Sequence, residues 1–161
     1  MAALLPVSFE YGKQRTKRYL TPGNQLRLTP EFSDFYNGFA YSGRGSNINN
    51  CLARSQWAFE YGPPGNDPRP MDKMGSATTP TEMRQCADAF RQKRLFFLAD
   101  YAVAHPLPAP FQRGAKATIA ADWATALLYY AQRYWPATSD KALPKAYFNF
   151  LAEVPAPELN R

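Results

Sequence analysis

The sequence from Thr79 to His105 constrains the fold more than any other stretch, because both of its ends are marked. Thr79 can cap a helix, Pro80 takes the first helical position, and Glu82 completes a capping box. Pro106 follows His105 and disfavours helical geometry in the residue before it. The sequence therefore predicts one long helix between these limits.

Apolar residues recur along this predicted helix at steps of three and four, which places them on one face. They are Met83, Cys86, Ala87, Phe90, Phe97, Leu98 and Tyr101. Arg94 interrupts this stripe. Asp88 is placed to pair with Arg84 or Arg91. The run 95–98 is apolar on more than one side, which predicts burial of two faces there.

Composition changes near residue 79. Eight of the nine glycines lie before it, and hydrophobic periodicity is weak there. Segments of this kind bury too little apolar surface to order themselves, and they often fold along a partner. We expect residues 1–79 to be an extended, loop-rich, partner-wrapping segment and residues 80–161 to be helical, with the two treated as one domain.

Short elements are predicted within the N-terminal part. Thr29 and Pro30 favour a short helix that reaches about Tyr36. Ser46 or Asn47 can cap a second helix over 48–61. Residues 25–28 fit a short strand or an extended segment, and the proline- and glycine-rich residues 62–78 fit a loop with polyproline-like pieces.

Two more helices are predicted after the proline-rich residues 106–110. One covers Lys116–Trp135, and the other covers Asp140–Val154 with Ser139 as its cap. The predicted fold is thus mainly α. Three C-terminal helices pack as a small bundle or array, preceded by an extended Gly/Pro-rich part with one or two short helices.

No residue pattern typical of an enzyme site is present. His105 is the only histidine, and we expect it to cap the end of the long helix. Cys51 and Cys86 are too few for a disulfide framework, so free thiols are expected, although the sequence leaves one bridge between them open. We predict no catalytic residue, no metal ligand and no cofactor.

Basic residues are the candidates for a binding site. The net charge is +6, which favours anionic partners. Lys13, Arg15, Lys17 and Arg18 form a basic cluster, and Arg44 lies in a glycine-containing loop before a predicted helix. These five residues can contact phosphates or dock on an acidic partner.

These observations favour a non-catalytic accessory subunit, supernumerary or scaffold, that binds the other protein subunits of a large hetero-oligomeric assembly. We expect a mitochondrial respiratory or ATP-synthase-type complex, with the chain peripheral to the inner membrane and anionic lipid as a second partner. Neither a transmembrane helix nor a secretory signal is expected. The alternative is a nucleic-acid-associated protein, a ribosomal or virion component, that binds phosphates through its basic N-terminal arm.

Overall fold

The computed structural model of this chain describes residues 5–35, 37–61, 69–74, 78–135 and 142–154. Over these residues the chain is mainly α-helical with a small strand region, which confirms the mainly-α part of the predicted fold class. No helix among them is long and apolar enough to cross a bilayer, in agreement with the sequence.

The described elements follow the chain in a simple order. They are strands β1 (Leu5–Tyr11), β2 (Gln14–Leu20), β3 (Arg27–Thr29) and β4 (Ala40–Ser42), then helices α1 (Ser46–Gln56), α2 (Pro70–Lys73), α3 (Pro80–Ala104) and α4 (Ala109–Tyr129). Other helical geometry occurs in the 3-10 segments Phe32–Asp34 and Lys145–Glu153 and in the π-helical turns Trp57–Tyr61 and Tyr130–Tyr134.

Helix α3 begins as its sequence predicts. The Thr79 backbone N–H donates to Glu82 Oε2 at 2.8 Å, and the Glu82 N–H donates to Thr79 Oγ1 at 3.2 Å. These two bonds confirm the capping box. The helix ends at Ala104, within a residue of the predicted limit.

Helix α4 begins at Ala109 rather than at Lys116, so this part of the prediction is wrong. Pro110 is the second residue of the helix, where the missing N–H would have no intrahelical partner. A proline is therefore tolerated there, and the run 106–110 is not a loop throughout. Helical geometry then continues to Trp135, the predicted end.

The predicted third helix over Asp140–Val154 is also corrected. Within the described residues it is a 3-10 segment of nine residues that starts at Lys145. Pro144 precedes it with an extended ψ of 140°, so helical geometry cannot pass through that residue. The expected cap, Ser139, lies outside the described residues.

Three short elements also differ from their predictions. The helix expected from Thr29 to about Tyr36 is a single 3-10 turn, because the chain returns to its start, where the Glu31 N–H donates to the Gly38 carbonyl at 3.0 Å. Tyr36 itself lies outside the described residues. Helix α1 begins at Ser46 with Gly45 as its N-cap at φ 92°, and neither Ser46 nor Asn47 caps it. The predicted loop 62–78 contains the helical turn α2 in its described part.

The chain divides into two compact units, of which the first comprises Met1–Asn66 and Phe97–Phe111. Its core contains Phe35, Phe39, Tyr41 and Ala53, with Phe9 and Leu28 packed against them. The rings of Phe35 and Phe39 meet edge to face, with centroids 4.7 Å apart. This unit has the strand pairs and an aromatic core where the sequence predicted an extended segment, because its irregularly spaced aromatic residues converge on one cluster.

The second unit comprises Asp67–Phe96 and Gln112–Arg161. Residues from α3, α4, the π-helical turn after α4 and the C-terminal 3-10 segment share its core: Met83, Ala87, Trp123, Ala124, Ala126, Leu127, Tyr130, Tyr147 and Phe150. The buried hydroxyls are satisfied, since Tyr130 donates to the Thr78 carbonyl at 2.6 Å and Tyr147 donates to the Leu127 carbonyl at 3.1 Å.

The predicted stripe of α3 is largely correct. Met83, Ala87, Leu98 and Tyr101 are buried, and Arg84 pairs with Asp88 at 2.9 Å. The prediction that α3 buries a second face near residue 96 is wrong, because Phe96 is 74% exposed.

Candidate functional site

The N-terminal hairpin is the element that carries most of the predicted basic residues. Strands β1 and β2 pair antiparallel from Leu5–Leu20 to Tyr11–Gln14. Gly12 is the first of the two turn residues and has φ 60°, a position that glycine fills without steric cost in a type II′ turn.

The two faces of this hairpin differ in polarity because side chains alternate along a strand. On one face of β1 lie Leu5, Val7, Phe9 and Tyr11, and the Phe9 ring meets the Phe39 ring edge to face at 5.5 Å. On the other face lie Pro6, Ser8 and Glu10, all of them exposed. Only the apolar face is packed on the first unit's aromatic core.

Two adjacent asparagines of α1 hold the strands. The Tyr19 N–H of β2 donates to Asn49 Oδ1 at 2.9 Å, and Asn49 Nδ2 donates to the Tyr19 carbonyl at 2.9 Å. Asn50 makes the same pair of bonds to Tyr41 of β4, at 2.9 and 2.8 Å. Each side-chain amide therefore makes the two backbone hydrogen bonds that a residue of a neighbouring strand would make.

Arg18, one of the predicted contact residues, is buried. It is 4% exposed, donates to Thr16 Oγ1, and places its guanidinium 4.7 Å from the Phe39 ring centroid and 5.0 Å from that of Tyr41. Burial lowers the pKa of Arg18 to about 10. The Arg18 guanidinium therefore contacts aromatic rings inside the first unit rather than solvent.

Lys13 and Arg15 are exposed, at the turn and on the polar face. Arg15 Nε lies 2.9 Å from Glu10 Oε1, and the Arg15 guanidinium donates to Ser8 Oγ at 3.1 Å. Lys17 occupies the β2 position opposite Ser8. The structure brings these residues together on one hairpin and separates Arg18 from them.

Arg44 lies apart in the loop between β4 and α1. Gly43 and Gly45 flank it with φ values of 91° and 92°. The Ser46 N–H donates to the Gly43 carbonyl at 3.2 Å, so one N–H of the expected anion-binding helix start is already used. The Arg44 side chain is exposed.

His105, Cys51 and Cys86, the residues with the most reactive side chains, lie in packed parts of the structure. The His105 ring contacts the Tyr101 ring at a tilt, with ring centroids 4.5 Å apart. Cys51 and Cys86 are free thiols, and burial raises the pKa of Cys51 to about 11, which keeps it protonated at neutral pH. In the part of the chain that the structure describes, no group of three or more His, Cys, Asp or Glu residues is arranged to hold a metal ion.

Sequence reasoning missed the exposed edge of β1 and the two asparagines. The signal for the strand was present, since Leu5, Val7, Phe9 and Tyr11 alternate with small or polar residues before a glycine turn. No local signal marks Asn49 and Asn50, because their bonds reach residues distant in sequence.

No protein-family model matches this chain, and neither a curated protein nor a solved structure matches it.

Proposed function

We propose that this chain is a non-catalytic accessory or scaffold subunit that binds other protein subunits in a larger assembly. The observation that carries the proposal is the exposure of large apolar side chains on well-packed elements. Phe96 of α3 is 74% exposed, and Leu5 of β1 is 60% exposed. The rings of Tyr11 and Phe32 touch at 4.2 Å while leaving 51% and 47% of these residues exposed. Exposed apolar side chains of this kind support a role in protein–protein contact.

In this proposal the N-terminal part, residues 1–79, supplies the main partner-binding surface, and the exposed Phe96 of α3 supplies a separate contact. The helical segments of residues 80–161 form a small bundle or array. The hairpin strand β1 is the described element best suited to the partner, because its edge and both ends of its apolar face are exposed.

The host that we favour is a mitochondrial respiratory or ATP-synthase-type complex, with the chain peripheral to the inner membrane. The net charge of +6 suits a surface of anionic lipid. Tyr129 is 40% exposed, and its ring lies 6.0 Å from that of Tyr134. Tyrosines at a membrane surface would present such rings to the headgroup region.

Native mass analysis of the endogenous protein tests the role. We expect the chain to migrate with other subunits, and Phe96→Asp to release it from them, because a charge buried in an interface is costly. Phe96→Leu is the matched control, since it keeps an apolar side chain at the same position and should remain assembled. A chain that migrates alone at its own mass would contradict the proposal.

A nucleic-acid-associated role is the second candidate. Lys13, Arg15 and Arg44 are exposed and favour it, whereas burial of Arg18 removes one of the four clustered charges. Phosphate binding would then depend on few cations.

A further inference from the structure

The outer edge of β1 is open in the part of the chain that the structure describes. The first sheet there has two strands, and β1 pairs with β2 alone. Backbone groups alternate between the partner strand and the outer edge in an antiparallel pair. The Tyr19 N–H points away from β1 toward Asn49. The backbone groups of Pro6, which lies opposite Tyr19, therefore point to the outer edge of β1. The backbone groups of Ser8 and Glu10 do the same, because they follow at steps of two.

The other edge of the hairpin is closed. Asn49 accepts from the Tyr19 N–H and donates to its carbonyl, so a further strand cannot pair there. The residues at the open edge, Pro6, Ser8 and Glu10, are all exposed. At Tyr19, therefore, the outward backbone donor and acceptor of the β2 edge are already occupied.

Proline at the open edge limits where a strand can add. Pro6 has no N–H, so the free donors of this edge are those of Ser8 and Glu10. Edge prolines also prevent unselective strand pairing. A partner strand must therefore align on the two residues nearer the turn.

The charge of the hairpin selects the partner's chemistry. Apart from the buried Arg18, residues 5–20 carry three basic residues against Glu10, so their net charge is 3 − 1 = +2. A second copy of the hairpin would carry the same net positive charge, which disfavours self-association. An acidic strand would instead meet the polar face, where the Arg15 guanidinium reaches across to Ser8 and Glu10, and it would place its alternate residues beside Leu5 and Tyr11.

We propose that β1 binds an extended segment of a partner protein as an added strand, and that this segment alternates acidic and apolar residues. The proposal rests on the accessory-subunit function and names the chemistry of its contact. Backbone hydrogen bonds to Ser8 and Glu10 supply the pairing, and the two faces of the hairpin supply the selectivity.

The test is a titration of the isotope-labelled full chain, followed by NMR, with a heptapeptide of alternating valine and glutamate. We expect the amide signals of Ser8 and Glu10 to shift. Ser8→Pro removes the outward N–H and should weaken binding about tenfold, since a partner carbonyl loses its donor. Ser8→Ala is the matched control, because both variants lose the bond from Arg15 but only proline loses the N–H; its affinity should stay within about twofold.

Unchanged signals of Tyr19 and the Asn49 side chain show that each variant keeps the hairpin in place. Equal binding by Ser8→Pro and Ser8→Ala would overturn the proposal, and so would equal binding of a valine–lysine heptapeptide. Self-association that Ser8→Pro abolishes, measured by sedimentation, would assign the edge to a second copy instead.

The two proposals fail separately. If the peptide does not bind but the endogenous chain migrates with other subunits, the accessory role stands and the edge assignment falls. If the endogenous chain migrates alone, the accessory role itself falls.

Discussion

Asn49 and Asn50 show how single residues can complete a sheet. Asn49 is fully buried and makes two bonds to the backbone of Tyr19. A buried backbone N–H or carbonyl that lacks a partner costs about 1–3 kcal/mol. These side chains therefore fasten two short strand pairs that lack further strands in the described part of the chain.

Asn49→Asp should lower the free energy of unfolding by about 3 kcal/mol, because the carboxylate keeps the acceptor but sets a buried charge against the Tyr19 carbonyl. Urea denaturation measures this. Asn47→Asp is the control on the same helix. Asn47 bonds the Pro106 carbonyl in an exposed position, and a carboxylate is favourable in a first helical turn, so its effect should stay below about 1 kcal/mol. Equal effects would contradict the role assigned to Asn49.

For single residues, the sequence identified the basic side chains of the N-terminal part but did not predict which of them would be exposed. It grouped Lys13, Arg15, Lys17 and Arg18 because they are neighbours along the chain, but strand alternation sends Arg18 to the opposite face from Arg15. That separation was predictable from the alternating residues of β1. The asparagine bonds were not, since they join residues 30 and 9 positions apart.

Among the elements, the C-terminal 3-10 segment is attached by ion pairs of Glu153 with Arg84 and Arg91, which we call the clamp. Glu153 accepts from Arg84 at 3.1 Å and from Arg91 at 2.9 Å, both on α3. The Arg91 guanidinium lies 4.1 Å from the Trp123 ring centroid, and Trp123 Nε1 donates to Asp88 Oδ1 at 2.8 Å. The clamp joins the segment to α3 and α4 within the second unit.

This clamp should weaken in acid. The hydrogen bond from Arg91 lowers the pKa of Glu153 from its ordinary value of 4.5, so its stabilisation is complete above that value and is lost as pH falls below it. Glu153 is 48% exposed, so the loss should reach only a few tenths to about 1 kcal/mol.

Hydrogen exchange of residues 145–153 at pH 7 and near pH 3 measures the loss. Glu153→Gln should show faster exchange already at pH 7 and little further change from this clamp in acid. The clamp would be contradicted if protection of the wild-type segment, corrected for the intrinsic exchange rate, were the same at pH 7 and near pH 3.

The predictability of each helix depended on the signals at its ends. Helix α3 was predicted because Thr79 and Glu82 cap each other locally. The start of α4 was missed because Pro110 was interpreted only as a breaker, although a proline fits a first helical turn. The 3-10 geometry after Pro144 reflects tertiary packing of Tyr147 and Phe150, which no local pattern specifies.

For the whole molecule, composition and tertiary contact give different divisions. Glycine content changes near residue 79, whereas the compact units divide within α3 and α4. A boundary inside a helix leaves no compositional mark, so sequence reasoning could not place it. The partner-wrapping role of residues 1–79 stays a prediction.

The net charge of +6 also leads to a whole-molecule prediction. If the chain binds nucleic acid, its affinity should fall with salt, with a logarithmic slope of about −3 for duplex DNA or shallower, because three predicted contact residues are exposed cations. Replacing Lys13, Arg15 and Arg44 by serine should flatten that slope, whereas Arg18→Met, which also removes a charge, should leave it nearly unchanged because Arg18 is buried. An affinity that does not depend on salt would exclude phosphate binding through these residues.

The occupied position at Tyr19 also affects how this sheet could grow. Another strand cannot pair with β2 at Tyr19, because Asn49 already occupies the backbone N–H and carbonyl there. A continuous ladder along the full length of β2 is therefore interrupted at its C-terminal end, which shortens the template that this edge presents.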